Sequence, residues 1–153
     1  PGKRRSQSGC SSRVRLYLDT SALVKRFIEE EGSDLVFDAM ERSAAQSTHR
    51  LAYAEACSAF ARVERDTGRP GWYERLRGAL DQAWVELDLI TPNEDMVRHA
   101  GTRVQRFALR AYDSIHRAAA EAVHQHGYMT FVCFDRHLAA AASERGLSVI
   151  HGN

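Results

Sequence analysis

The stretch LYLDTSALVKRF, residues 16–27, passes from apolar to acidic to helical within a few positions. Residues 14–18, VRLYL, are few, rich in β-branched and aromatic side chains, and apolar nearly throughout, the pattern of a strand covered on both faces. The run ends on Asp19, and Thr20 and Ser21 at once open a helical pattern. A carboxylate in that place either caps the helix or holds a metal at the edge of a sheet.

Outward from this stretch, helical spacing predicts helices over residues 20–32 and 33–44, then a weaker strand at 45–50. A helix over 51–68 stops at Gly68, and another covers 71–82 after Pro70. Residues 83–90, AWVELDLI, read as a third strand, with Thr91-Pro92 as the cap and first turn of the helix that follows. A helix over 112–127, a strand at 129–134, a helix over 135–146 and a closing strand at 147–150 complete the series. Strands alternating with helices imply βαβ crossovers, hence a mainly parallel sheet between helical layers. The expected fold class is α/β, a three-layer α/β/α domain.

A chain of 153 residues suits one domain with a proper core. Residues 1–12, PGKRRSQSGCSS, are expected to be a flexible tail and residues 13–153 the folded domain. Net charge is +1, and the cations are almost all arginine, Lys3 and Lys25 being the lysines. Arginine suits phosphate contact, and genome base composition produces the same bias. The three cysteines, Cys10, Cys57 and Cys133, are widely spaced and form no CxxC pair, which points away from a disulfide framework or zinc ribbon and toward a reducing cytoplasm. No apolar run approaches the roughly 18 residues that span a bilayer, so a soluble protein is expected.

In a parallel sheet all strand-to-helix junctions lie along one edge, where such folds bind ligands. Asp19 ends the first strand and Asp135 the fourth, Glu55 lies about one turn into the helix after the second, and Asp113 opens the helix that feeds the fourth. Taken singly, the three aspartates are helix caps and Glu55 a solvated helix residue. Gathered at one edge, four carboxylates repel one another and need a cation to be tolerated. Oxygen ligands alone favour Mg²⁺ or Mn²⁺ over zinc.

The segments LYLDTSALVKRF, LAYAEACSAFAR, LRAYDSIHRAAA and FVCFDRHLAAAASERGLSVI, in this order and spacing, resemble the PIN-domain nucleases, and among them the VapC toxins of type II toxin–antitoxin systems. The likeness runs from about Val14 to His151. It implies a PIN-like fold, a Mg²⁺-dependent endoribonuclease with Mn²⁺ as possible substitute, an RNA substrate, an inhibitory VapB-type antitoxin and a homodimer. Position by position it carries metal binding and catalysis onto Asp19, Glu55, Asp113 and Asp135, with Thr20 or Ser21 hydrogen-bonding beside Asp19. Asp19 and Asp113 become the principal ligands, Asp135 completes the set, and Glu55 stands beside the attacking water, leaving a 3′-hydroxyl and a 5′-phosphate.

The chain departs from the family pattern twice. Cys133 stands two residues before the last acid, where members usually carry Thr or Ser, and is expected to be a buried small residue. Arg117 stands where an apolar residue is usual; it either reaches a phosphate or is simply solvated. Of the seven histidines, His124 and His126 point to different helix faces and no HExxH occurs, so no metal is assigned to them. His116 is expected to pack and orient the start of its helix. Trp72 and Tyr73 read as core or as surface facing a partner. Two rival functions remain: a phosphatase or phosphotransferase with an Asp nucleophile, which usually has a second Asp where this chain has Ser21, and a catalytically inactive PIN-like or receiver-like module that uses the acidic edge to hold a cation or a partner.

Overall fold

The computed structural model describes residues 14–125 and 127–152; the expected 1–12 tail, with Lys3 and Cys10, and also His126, lie outside the described residues. Five strands, β1 (Arg15–Leu18), β2 (Ala45–His49), β3 (Asp88–Ile90), β4 (Met129–Val132) and β5 (Ser148–Ile150), form one sheet in the order β3-β2-β1-β4-β5. Every pairing is parallel, and Arg15 stands opposite Ala45 on one side and Met129 on the other.

The helices are α1 (Thr20–Val24), α2 (Ser33–Arg42), α3 (Ala52–Thr67), α4 (Trp72–Trp84), α5 (Glu94–Gly101), α6 (Val104–Phe107), α7 (Ala111–His124) and α8 (Arg136–Ser143). Alternation along β1 explains why they form two layers. Leu16 and Leu18 point into one core with Leu23, Val36, Phe60 and Leu80, while Tyr17 points into the other with Phe131, Cys133, Ala119 and Leu138. A strand buried on both faces is apolar where it is covered, and in β1 Leu16, Tyr17 and Leu18 are buried while Arg15 is exposed at its start. Fully burying a side chain such as Leu18 or Phe131 stabilises the fold by about 1.5–3 kcal/mol. The expected three-layer α/β/α arrangement is the one found. Among the described residues, no helix is long and apolar enough to cross a membrane.

Several boundaries differ from expectation, each for a local reason. The helix expected over 20–32 ends at Val24, because Arg26 and Phe27 bond back only three residues, to Leu23 and Val24, and the chain tightens out of the α path. Gly32 then starts α2 at φ 88°, and a Cβ there would collide with the ring of Phe134. The strand expected over 83–90 is only Asp88–Ile90, since Leu76, Leu80 and Ala83 extend one buried helical face and carry α4 on to Trp84. The next helix is capped by Asn93, whose side chain accepts from the Met96 N–H at 2.9 Å, so Thr91-Pro92 lies ahead of it.

The strand order places the functional edge. The chain moves from β1 outward to β2 and β3, then crosses back to β4 on the other side of β1. The reversal leaves a crevice beyond the carboxyl ends of β1 and β4, the location at which open α/β sheets take ligands.

Candidate active site

Asp19 follows β1 directly and is 4 % exposed. Its backbone N–H still bonds to Val132 of β4 at 3.1 Å, so the residue is held by the sheet as well as by α1. Its side chain does cap α1, accepting from the Ala22 N–H at 2.8 Å, so the capping role is real. Ser21 Oγ donates to the same carboxylate, at 2.8 Å from Oδ1, and accepts from the Phe134 N–H at 2.7 Å. One hydroxyl thereby ties the acid at the end of β1 to the loop after β4.

Asp135 starts α8 and accepts from the Leu138 N–H at 2.9 Å. Asp113 lies in the first turn of α7 and Glu55 in the first turn of α3. All four acids, with Thr20 and Ser21, line one cavity of about 600 Å³. Four positions spread along the sequence therefore meet at the carboxyl edge.

Electrostatics mark the gathering as costly without a cation. Burial pushes the Asp19 carboxyl up to about 6; His116 and the hydrogen bonds from Ala22 and Ser21 pull the other way, and Asp113 adds repulsion. Asp113 is likewise raised, by burial first and then by Asp135. Mutual repulsion of this kind, in an all-oxygen donor set, fits a hard divalent cation held by Asp19, Asp113 and Asp135.

Glu55 behaves differently. Burial would raise its pKa, but hydrogen bonds from His116 and Thr20 outweigh that and hold it below the ordinary carboxylate range. Thr20 Oγ1 donates to Glu55 Oε2 at 2.7 Å, and His116 Nε2 lies 3.1 Å from the same oxygen. On its other side, His116 Nδ1 is 3.2 Å from the Tyr17 hydroxyl. Burial, reinforced by the charge of Asp19, pushes the Tyr17 phenol up, so it keeps its proton. The Thr20 N–H also points at Nε2, at 3.3 Å, so the imidazole is held between Tyr17, Thr20 and Glu55. The outcome is a carboxylate kept anionic and fixed in direction by Thr20 and His116.

His116 thus does more than orient the start of its helix. It is three residues after Asp113 on α7, and that spacing is the sequence signal that places both on one face. His49, at the end of β2, is fully buried against it, ring centroids 3.8 Å apart. Burial and the adjoining His116 push His49 down to about 3, so it is neutral. His49, Glu55 and His116 bring potential ligand atoms within 4.8 Å of one another, the two rings tilted by 39°.

Arg117 is neither solvated nor at the cavity. It is 1 % exposed, its guanidinium lies 4.4 Å from the Phe107 ring centroid, and its Nε is 3.7 Å from Glu121 Oε1. Its α7 turn faces α5 and α6, so the phosphate contact expected of it is not available. Arg110 and Arg62, by contrast, do line the cavity. Cys133 is fully buried, its thiol directed at the Asp135 carbonyl at 3.6 Å and its pKa pushed up by burial. It is packing, not a nucleophile. Trp72 and Tyr73 pack partly buried against the Leu18 core.

Comparison with known proteins agrees with this architecture. The chain is 30% identical over 141 residues to Ribonuclease VapC45 of Mycobacterium tuberculosis, covering 88% of this chain and 93% of that one. The solved structure of PAE2754 from Pyrobaculum aerophilum matches with a TM-score of 0.62 at 21% identity, covering 97% of this chain and 92% of that one. That of VapBC2 from Rickettsia felis, bound to a DNA fragment from their promoter, matches with a TM-score of 0.62 at 13% identity, over 92% of this chain and 100% of that one. The PIN domain model itself matches residues 16–144, from within β1 to just beyond the end of α8. By that match, and by its similarity to VapC45, the chain belongs to the PIN domain family.

Proposed function

We propose that the chain is a Mg²⁺- or Mn²⁺-dependent endoribonuclease of the VapC kind, held in check by a VapB-type antitoxin. The observation that carries this is the convergence of Asp19, Glu55, Asp113 and Asp135 on one cavity, with Glu55 set apart from the other three by its hydrogen bonds. The name of its 30%-identical relative, a ribonuclease, supplies the substrate class, and the VapC designation supplies the antitoxin.

Asp19, Asp113 and Asp135 would hold the cation, which when bound supplies Lewis acidity and neutralises charge on the phosphate. Glu55, anionic and aimed by His116 and Thr20, takes a proton from the attacking water as its oxygen bonds to phosphorus. The bond to the 3′-oxygen breaks in line and that oxygen takes a proton from solvent water, giving a 3′-hydroxyl and a 5′-phosphate. Ser21 holds Asp19 in place while the Phe134 N–H holds Ser21. Arg110, at the start of α7 and lining the cavity, offsets phosphate charge from the side of Asp113.

The test is cleavage of RNA by the purified chain with Mg²⁺, with Mn²⁺ and with chelator, the products being typed by their ends. Cleavage that requires the metal and leaves 5′-phosphates is expected. Metal-independent cleavage that leaves 2′,3′-cyclic phosphates would overturn the proposal, as would no cleavage of any RNA in the absence of antitoxin.

A further inference from the structure

His49 is fully buried, yet neither of its ring nitrogens has a hydrogen-bond partner among the described residues. A buried imidazole left in that state needs a cause, because an unmet buried donor or acceptor destabilises the fold. The ring lies against His116, and one of its nitrogens is within 4.8 Å of both a Glu55 oxygen and a His116 nitrogen. Two imidazoles and a carboxylate, brought together from β2, α7 and α3, are a donor set for a zinc-class ion.

The distances around His116 agree with that chemistry. Its Nε2 is 3.1 Å from Glu55 Oε2, and bonds of about 2.0–2.1 Å from one ion to both atoms would meet at about 100°, near the tetrahedral angle. Its Nδ1 faces the Tyr17 hydroxyl at 3.2 Å, the outer partner that fixes a metal-binding imidazole. Thr20 Oγ1, 2.7 Å from Glu55 Oε2 and 2.9 Å from His116 Nε2, bridges the two atoms and gives way when an ion takes its place. The third bond draws His49 inward, since ligand atoms of a tetrahedral ion stand only about 3.3 Å apart. Glu55 and His116 line the cavity, so the ion enters from there and water fills its fourth position.

We propose that His49, Glu55 and His116 form a separate site for Zn²⁺, and that the ion, by holding Glu55, switches off the ribonuclease function proposed above. The binding site stands without that function; the switch rests on it. Two nitrogen donors select against Mg²⁺, which keeps to the oxygens of Asp19, Asp113 and Asp135, so the two ions do not compete for one place. With Glu55 ligated, the attacking water loses the group that takes its proton, while the cation among the aspartates stays bound.

Binding is read without RNA, by calorimetric titration of Zn²⁺ into the parent, His49→Phe and Asp113→Asn chains in saturating Mg²⁺. His49→Phe is expected to weaken Zn²⁺ by more than the roughly tenfold that loss of an outer partner costs, and Asp113→Asn to leave it unchanged. Unaltered affinity in His49→Phe overturns the site, as does an equal loss in Asp113→Asn, which would seat the ion among the carboxylates. X-ray absorption at the zinc edge on the parent needs no variant to fold: two imidazole ligands are expected, and a shell of oxygens alone or one containing thiolate overturns the proposal. Cleavage is then followed in Mg²⁺ with increasing Zn²⁺. In the parent kcat should fall with KM for RNA little changed, and His49→Phe, active in Mg²⁺ alone, should need at least about tenfold more Zn²⁺ for half-inhibition. Equal sensitivity of the two proteins to Zn²⁺ overturns the switch. A parent that cleaves no RNA in Mg²⁺ before Zn²⁺ is added counts against the ribonuclease function and the switch together, and leaves the calorimetry and the absorption spectrum to decide the site.

Discussion

Replacing Asp19 by Asn separates burial of charge from helix capping, because Asn keeps the acceptor for the Ala22 N–H and removes the charge. Ser21 Oγ, 3.0 Å from the second carboxylate oxygen, is placed to accept from the new amide. The Asp19 carboxyl is moved from an ordinary 3.8 to about 6, so the folded chain holds this proton more tightly than the unfolded chain does. At pH values well below 3.8 both states are protonated and Asp19 makes no difference to stability. Between the two values the unfolded chain releases the proton while the folded chain keeps it, and stability falls as pH rises. Above about pH 6 the whole penalty is present, about 3 kcal/mol. For a chain of this length that corresponds to roughly 6–12 °C in Tm. In chelator at pH 7, Asp19→Asn should therefore melt higher than the parent by several degrees, with the gap closing toward pH 4. Mg²⁺ should raise the parent's Tm as ligand binding requires and raise the variant's far less. Thermal melts followed by circular dichroism, with chelator or Mg²⁺, read both effects. Superimposable pH profiles for the two proteins in chelator would refute the burial account, and equal Mg²⁺ shifts would remove Asp19 from the cation's ligands.

Asp113→Asn should abolish RNA cleavage and shrink the Mg²⁺-induced rise in Tm, yet leave the metal-free protein as stable as the parent or more so, since it relieves repulsion with Asp135. Retained cleavage with an unchanged metal shift would show Asp113 to be structural only. Cys133→Thr puts a hydroxyl where the thiol meets the Asp135 carbonyl, and should leave cleavage equal or raised at a stability cost within about 1.5 kcal/mol; a large loss of activity in a folded variant would reveal a role for the thiol. Arg117→Met should leave RNA affinity unaltered and lower stability by denaturant titration, because it takes the guanidinium from the Phe107 ring and from the largely buried Glu121. A marked drop in RNA affinity would return Arg117 to the binding surface.

What the sequence reveals depends on how local the cause is. β1 and β4 are legible because a doubly covered strand must be apolar at successive positions, and the acids that follow them are legible because a parallel sheet sends all such junctions to one edge. Residues 83–90 mislead, since Ala83 and Trp84 satisfy a helical face and a strand equally well until Leu76 and Leu80 are seen beneath them. Arg117 misleads for a different reason. Its neighbours Phe107, Glu121 and Arg145 come from α6, from further along α7 and from the loop after α8, and no spacing along one element announces that they enclose it. The link from Tyr17 through His116 to Glu55 joins β1, α7 and α3 in the same way, so only the i, i+3 relation of Asp113 to His116 was open to view.

The strand order also fixes when the site can exist. Asp19 and Glu55 come from the part of the chain that builds β1, β2 and β3, whereas Asp113 and Asp135 arrive with α7, β4 and α8. During synthesis the first part emerges from the ribosome with half of its carboxylates and an unpaired edge on β1. Arg15 finds Met129 only after nearly all of the chain has been made, and Ser21 finds the Phe134 N–H later still. Such long-range closure is a late event in folding. A nascent chain, or one truncated before β4, carries no complete acidic cluster and so none of the hydrolytic capacity proposed for the finished fold, and a cell translating this message meets an active enzyme only once the last strands have docked.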